Sequence, residues 1–413
     1  MIRHLLEIVL LLVVGQAFAG LASASDSKEI RSWPNWMGPN HDGITEESAG
    51  KSIWPATGLP VRWTREIGIG FSSISIARDR LFSMGHIDGE EVVWCLNATN
   101  GEVIWSYRYP SELNDNLHEG GPGSTPTIDD DRVYTVGKEG QFYCFDFSTG
   151  KVLWQVLLRD DLRVKLPEWG FASSPKIVGD QVILEGGRLV AYDKLTGVKR
   201  WESAVHDAGY GTAATFPINE PARFAATLDC EGLRITGLEH GDEVAFKAWP
   251  SPFRTNATTP IIDGKRIFIS SAYDVGCALF EFDGRQLKQL YANKQMRNHF
   301  NNSILWKGYL YGFDGNSNLG RVVQLTCMKW DTGEVAWKQR GLGCGSLMIA
   351  DGKLLILSES GDLVLANATS TGFEELSRSR FLTGRCWTVP VLCNNQIYGR
   401  NAAGRLVCVE CPD

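Results

Sequence analysis

The chain has 413 residues, with 44 glycines, 14 tryptophans, 10 cysteines and a formal charge of −7. That length exceeds what one conventional core sustains, so several domains or one modular architecture is expected. Mild acidity with no Lys/Arg block excludes a binder of nucleic-acid backbones or anionic membrane surfaces, and plentiful Gly and aromatics without long helical periodicity point to short strands joined by tight turns.

In chain order, Arg3 and His4 lead into an apolar stretch, Ile8 to Val14, and then the small-residue run Ala17-Phe18-Ala19-Gly20. This predicts a secretory signal peptide over residues 1–19, with Ala22-Ser23-Ala24 as an alternative cleavage site. The apolar run is shorter than the ~20 residues of a spanning helix, which ranks an uncleaved anchor second. The expected product is an exported protein, periplasmic or extracellular, with no transmembrane span after cleavage, and a monomer. Residues 20–58 form an N-terminal extension, and 59–413 the repeat region.

The repeat is the strongest signal. Leu96-Asn97-Ala98-Thr99-Asn100-Gly101-Glu102-Val103-Ile104-Trp105 returns around Gly150 and Trp154, Gly197 and Trp201, and Gly333 and Trp337, and the first three tryptophans are spaced 49 and 47 residues apart. A period near 50 marks a repeat architecture with four strands per unit. In each copy Asp or Asn bonds its own turn, Gly closes it at positive φ, and a Trp four residues on docks against a neighbouring unit. Inner-strand phrases begin near Phe71, Gly123, Ala172, Thr212, Ala257, Asn301, Gly345 and Cys386. The units near 213–248 and 257–291 are degenerate, with Trp249 and Tyr291 only loosely near the docking position. The last unit lacks an outer strand, which Leu59 to Arg65 can supply with Trp63 in place. The reading is all-β: an eight-bladed β-propeller of four-stranded antiparallel blades, closed by pairing the N-terminal strand with the C-terminal blade. Blade docking is assigned to Trp63, Trp105, Trp154, Trp201 and Trp337.

Cys95, Cys144, Cys327 and Cys408 occupy one recurring strand position, which suits buried thiols better than disulfides; the other six are left unassigned.

The repeat resembles that of the pyrroloquinoline quinone (PQQ)-like propellers, whose signature is Ala-x-Asp/Asn-x-x-Thr-Gly-x-x-x-Trp. The segment Trp33-Pro34-Asn35-Trp36-Met37-Gly38-Pro39-Asn40-His41-Asp42-Gly43 is similar to the opening of many secreted members. The resemblance implies two branches: quinoprotein alcohol dehydrogenases, and non-enzymatic scaffolds related to that of the outer-membrane β-barrel assembly machinery. Dehydrogenases of this family commonly carry a vicinal Cys-Cys disulfide and a Glu, Asn and Asp set for calcium and base. No two cysteines here are adjacent, and none of that set maps onto this chain. A protein- or polymer-binding scaffold is therefore expected, without cofactor. A PQQ- and calcium-dependent dehydrogenase of alcohols or sugars is the alternative, and a carbohydrate-binding or lyase-like propeller the second. Catalytic residues stay unassigned, because fold does not fix function.

Loops entering the inner strands converge on one face. They carry His118, Glu119, Arg163, Trp169, His206, Tyr210, Arg254, Asn256, Arg297, Asn298, His299, Asn301, Arg385 and Trp387, the candidate face for a protein or polysaccharide partner. His118, His206 and His299 with Glu119 or Asp207 make a metal set only if the loops fold inward; alternate-blade placement predicts them far apart, and no metal is expected. Arg254, Arg297 and Arg385 hold an anionic ligand or pair with Asp160, Asp161 and Glu168. Ser73, Thr125, Ser174, Thr259 and Ser303 are expected to line the channel and bind water.

Overall fold

Each repeated turn closes as its chemistry dictates. Asp146 Oδ1 accepts the backbone N–H groups of Ser148 and Thr149 at 3.1 and 2.8 Å and the Thr149 hydroxyl at 2.7 Å, while Gly150 sits at φ 71°. Asn97 and Asp193 hold their turns the same way. The computed structural model describes residues 31–217, 222–317 and 322–412. The expected signal peptide, 1–19, lies outside the described residues.

Eight sheets form among the described residues, each with an antiparallel four-strand core. Blade 1 is built from Ser75–Ala77, Arg80–Ile87, Glu90–Asn97 and Val103–Pro110. Blades 2 to 7 follow in chain order. Blade 8 takes Val391–Cys393, Gln396–Arg400 and Arg405–Glu410, then Val61–Glu66 as its outer strand, with Trp63 opposite Cys408. The chain is an eight-bladed β-propeller closed as its ends predict. Helix is confined, among the described residues, to Leu158–Leu162 and the short turn Pro252–Arg254.

One register position explains the docking residues. In every blade the outer strand bulges, and beside the bulge one residue faces a fixed partner on the neighbouring strand: Trp105 with Cys95, Trp154 with Cys144, Trp201 with Ala191, Trp337 with Cys327 and Trp63 with Cys408. Each indole projects onto the next blade's turn. Trp63, Trp105 and Trp154 lie so close over Gly101, Gly150 and Gly197 that an added Cβ would meet the ring at 2.6 to 2.7 Å. Their indole N–H groups donate to the carbonyls of Ala98, Phe147 and Lys194 at 2.9 to 3.1 Å, and that of Trp337 to Thr369 at 2.8 Å. Tyr291 holds this position in blade 5, opposite Leu279 and over Gly333. In blade 4 the position falls to Ala245, four residues before Trp249, so the Trp249 reading is corrected. In blade 7 it falls to Ser377, whose hydroxyl accepts the Trp54 amide at 2.9 Å and donates to the Ser52 carbonyl at 2.8 Å. The N-terminal extension thus fills the place of a missing indole.

The extension also seals the channel. Trp33 bridges to Ile76, the Ile128 amide donates to the Pro34 carbonyl at 2.9 Å, and Ile44–Thr45 joins blade 7 as a fifth, parallel strand. These contacts lie at the far ends of the inner strands of blades 1, 2 and 7, opposite the loop-rich face. Gly38 and Gly43 bend the segment with φ of 79° and 77°, conformations that only Gly takes cheaply.

All ten cysteines are buried. Burial pushes the thiols of Cys95 and Cys144 up to about 12 and about 11, and neither these nor Cys327 and Cys408 form a disulfide. The inner-strand hydroxyls accept backbone amides of neighbouring blades. The amides of Ser73, Thr125, Ser174 and Thr212 donate to the side-chain oxygens of Thr125, Ser174, Thr212 and Thr259 at 2.9 to 3.2 Å, and the Thr259 amide to Asn302 Oδ1 at 3.0 Å. Blades 1 to 5 therefore each hand a hydrogen bond to the next around the axis, because residues at one inner-strand position meet around the narrow channel.

Candidate functional site

Sealing one end turns the channel into a blind cavity of about 220 Å³ that opens on the loop-rich face. Trp36, carried by the N-terminal segment, lies at its floor, while Phe71, His118, Lys138, Trp169, Tyr210, Tyr273, His299, Phe300 and Trp387 are among its walls. The space admits a single ring or a short chain, and falls below the roughly 300–1,000 Å³ of drug-sized sites.

Aromatic rings encircle the mouth. Phe253, Tyr273, His299, Phe300, Trp387, Phe71 and His118 touch in that order, with centroids 4.3 to 5.4 Å apart. Trp169 and Tyr210 meet edge to face at 5.9 Å. Hydrogen bonds tie this pair to the loops that carry His118 and Phe253: Trp169 Nε1 donates to the Asn116 carbonyl at 3.3 Å, and the Tyr210 amide to the Asn256 carbonyl at 3.0 Å. Rings packed edge to face hold one another rigid and present flat apolar faces.

Of the predicted face residues, the structure brings His118, Trp169, Tyr210, His299 and Trp387 to this cavity. Two of the three histidines therefore line one cavity despite coming from alternate blades, because their loops fold inward. Burial and the nearby Lys138 charge lower His118 to about 4, and burial and His118 lower His299 to about 4. Both are neutral at pH 7. His118 Nδ1 accepts the Gly120 amide at 2.9 Å, which leaves its proton on Nε2. His299 bonds the Tyr273 hydroxyl at 3.0 Å through Nε2. His206 stands apart, buried against Glu185 at 2.9 Å. Despite the cost of its burial, the Glu185 charge raises it to about 9.

The arginines are engaged, but not by the expected acids. Arg385 pairs with Glu119 at 2.7 Å and lies 4.5 Å over Trp387, Arg297 binds Asp314 and Asp274 at 2.7 and 3.0 Å, and Arg254 pairs with Asp207. Asp160 and Asp161 lie in the helix Leu158–Leu162 and Glu168 on the loop after it, and none pairs with these arginines; Asp161 accepts the Tyr192 hydroxyl at 2.7 Å. Arg163 is exposed and ends the helix Leu158–Leu162 in a left-handed conformation, φ 54°. Asn256, Asn298 and Asn301 are buried and brace loops: Asn256 donates to the Asp229 and Trp249 carbonyls at 2.7 and 2.9 Å, Asn298 to the Phe313 carbonyl at 3.0 Å, and Asn301 to the Ser346 hydroxyl at 2.8 Å.

Sequence reading missed Trp36, Phe71, Lys138, Tyr273 and Phe300 as cavity residues. Phe71 and Phe300 stand at or beside inner-strand phrases and were legible as mouth positions. Lys138 sits in a hairpin turn, and nothing local marks it as lining the channel.

Residues 43–223 match the family model described as outer membrane protein assembly factor BamB. No curated protein matches the sequence. Among solved structures, the chain is similar to BamB from Moraxella catarrhalis (16% identity, TM-score 0.61, covering 85% of this chain and 97% of that one). It is similar to a europium-containing methanol dehydrogenase (11%, 0.67, 90% and 89%) and to a quinohemoprotein alcohol dehydrogenase from Comamonas testosteroni (10%, 0.63, 92% and 80%). At these identities the likeness is one of fold, and it spans BamB and dehydrogenases alike.

Proposed function

We propose that this chain, a member of the PQQ-like β-propeller family, is an exported, periplasmic or extracellular, binding module. Its loop-rich face holds a protein or polymer partner, and its central cavity seats a ring-sized group of that partner. The observation that carries the reading is the blind, aromatic-walled cavity with Trp36 at its floor. A channel serving only architecture has no need of a sealed floor and a collar of packed rings at one end. Flat apolar faces beside neutral imidazoles suit a sugar ring or an aromatic or aliphatic side chain. Among the described residues no helix is long and apolar enough to cross a membrane.

The fold is shared with quinone-dependent dehydrogenases, but the residues present do not fit that centre. Among the described residues, no Asp, Glu or Asn lines the cavity, and no three His, Cys, Asp or Glu side chains come together. The cavity thus offers neither a carboxylate base nor the carboxylate and amide oxygens that usually hold a hard cation, only Ser, Thr and Tyr hydroxyls. Titration of the purified protein with PQQ and calcium, with a dye-linked alcohol assay alongside, discriminates the two. The binding reading expects neither saturable quinone binding nor turnover; stoichiometric binding with alcohol-dependent dye reduction would overturn it.

A further inference from the structure

The cavity that the proposed function uses for binding contains one chemically distinct group. Lys138 lies in its wall, in a hairpin of blade 2 fixed at both ends: its amide donates to Glu91 Oε1 at 3.0 Å, and its carbonyl accepts the Phe171 amide at 2.8 Å. Its side chain runs beneath Gly170, where an added Cβ would stand 2.6 Å from Lys138 Cδ, and its ammonium donates to the Trp169 carbonyl. Among the described residues no carboxylate lies within ion-pair distance of this amine. Buried amines left to neutral partners are readily deprotonated and act as nucleophiles. His118, with its proton on Nε2, lines the same cavity.

Resting on the binding reading, we propose that Lys138 forms a reversible imine with an aldehyde or ketone group that enters the cavity. The neutral Nζ adds its lone pair to the carbonyl carbon, and the π pair moves to oxygen, which is polarised by the His118 Nε2–H and takes up a proton. Loss of one water then gives the C=N bond, and no oxidant is required. Burial supports the step by lowering Lys138 to about 8 against the opposing charge of Glu91, so that a substantial fraction is neutral in mildly alkaline solution, whereas an exposed lysine is almost wholly charged.

The test treats the full chain with benzaldehyde and cyanoborohydride at pH 8, followed by peptide mass mapping. Lys138 is expected to gain the benzyl group on the order of tenfold faster than the exposed Lys51 and Lys247. Lys138→Met, which keeps the length of the side chain in the apolar wall but carries no amine, should abolish the fast phase while the chain still unfolds cooperatively, and His118→Gln should slow it. Labelling that follows exposure and spares Lys138 overturns the imine. Benzyl alcohol, which has no carbonyl, separates the two claims. If it quenches the tryptophan fluorescence of the wild-type chain while Lys138 stays unlabelled, only the imine fails; if it does not, the binding reading fails as well.

Discussion

Removing the Trp63 indole tests ring closure where the chain itself provides no continuity. Trp63 is 8% exposed, packs against Tyr398 at 6.0 Å and covers Gly101 of blade 1. Truncating a buried Trp to Ala costs about 3–5 kcal/mol through lost transfer energy and the cavity left behind. The lost hydrogen bond adds about 1 kcal/mol or less, because the Ala98 carbonyl keeps the Tyr398 hydroxyl at 3.2 Å. Trp63→Ala should therefore cost about 4 kcal/mol, a large share of the roughly 5–15 kcal/mol that holds a typical domain. Trp105→Ala removes the same contact between blades 1 and 2, which are adjacent in the chain. Both variants should lose similar stability in urea denaturation followed by circular dichroism. Only Trp63→Ala should speed amide hydrogen exchange across Val61–Glu66 and Arg405–Glu410. A loss below about 1 kcal/mol, or unchanged exchange in those strands, would refute closure by docking.

Three further predictions concern the scaffold. Gly150→Ala places a Cβ 2.6 Å from the Trp105 ring at φ 71° and should cost about 2–3 kcal/mol by chemical denaturation; a neutral effect would contradict the docking geometry. Arg400 is fully buried and gives its hydrogens to the carbonyls of Gly68, Ser72 and Met84 across the seam between blades 8 and 1. Arg400→Met takes these donors from the seam, leaving the Ser72 carbonyl only the Ser83 hydroxyl at 3.2 Å, and should lower the denaturation midpoint about as much as Trp63→Ala. The Glu185–His206 pair makes stability depend on pH. Because folding raises His206 to about 9, its contribution is full below its unfolded value near 6.5 and is lost as pH rises through about 9. Glu185 is lowered, chiefly by His206 against its own burial, so its part is present above its unfolded value near 4.5 and is lost in acid. Denaturation of wild type and His206→Gln from pH 4 to 10 should show a difference greatest between about 5 and 6.5 and shrinking toward pH 10; a constant difference would speak against the ion pair.

Blade number and closure were legible because turn chemistry and the docking Trp repeat at fixed offsets, and both are local. The degenerate blades hid their docking residues: Ala245 and Ser377 carry no aromatic signal, and only strand register identifies them. The aromatic members of the mouth, Trp169, Tyr210 and Trp387, could be placed from loop position alone. Asn256, Asn298 and Asn301 belong to the same loops, but turn inward to bond backbone that sequence does not locate. Trp36 could not be assigned at all, since its place at the cavity floor depends on where residues 33–45 cross the inner-strand ends. The partners of the arginines were misjudged for the same reason: acids nearby in sequence are not those that neighbouring blades bring close.

If partners engage the cavity face, a photo-crosslinker placed at two exposed apolar positions should capture them from only one. Leu117 is 68% exposed at the lip of the cavity, and Val198 is 64% exposed beside an outer strand, away from the mouth. A benzophenone side chain at each site would be activated in isolated cell envelopes. Position 117 should give a discrete adduct that disappears with Trp387→Ala, and position 198 none. Equal crosslinking from both positions, or adducts indifferent to Trp387, would contradict engagement at that face.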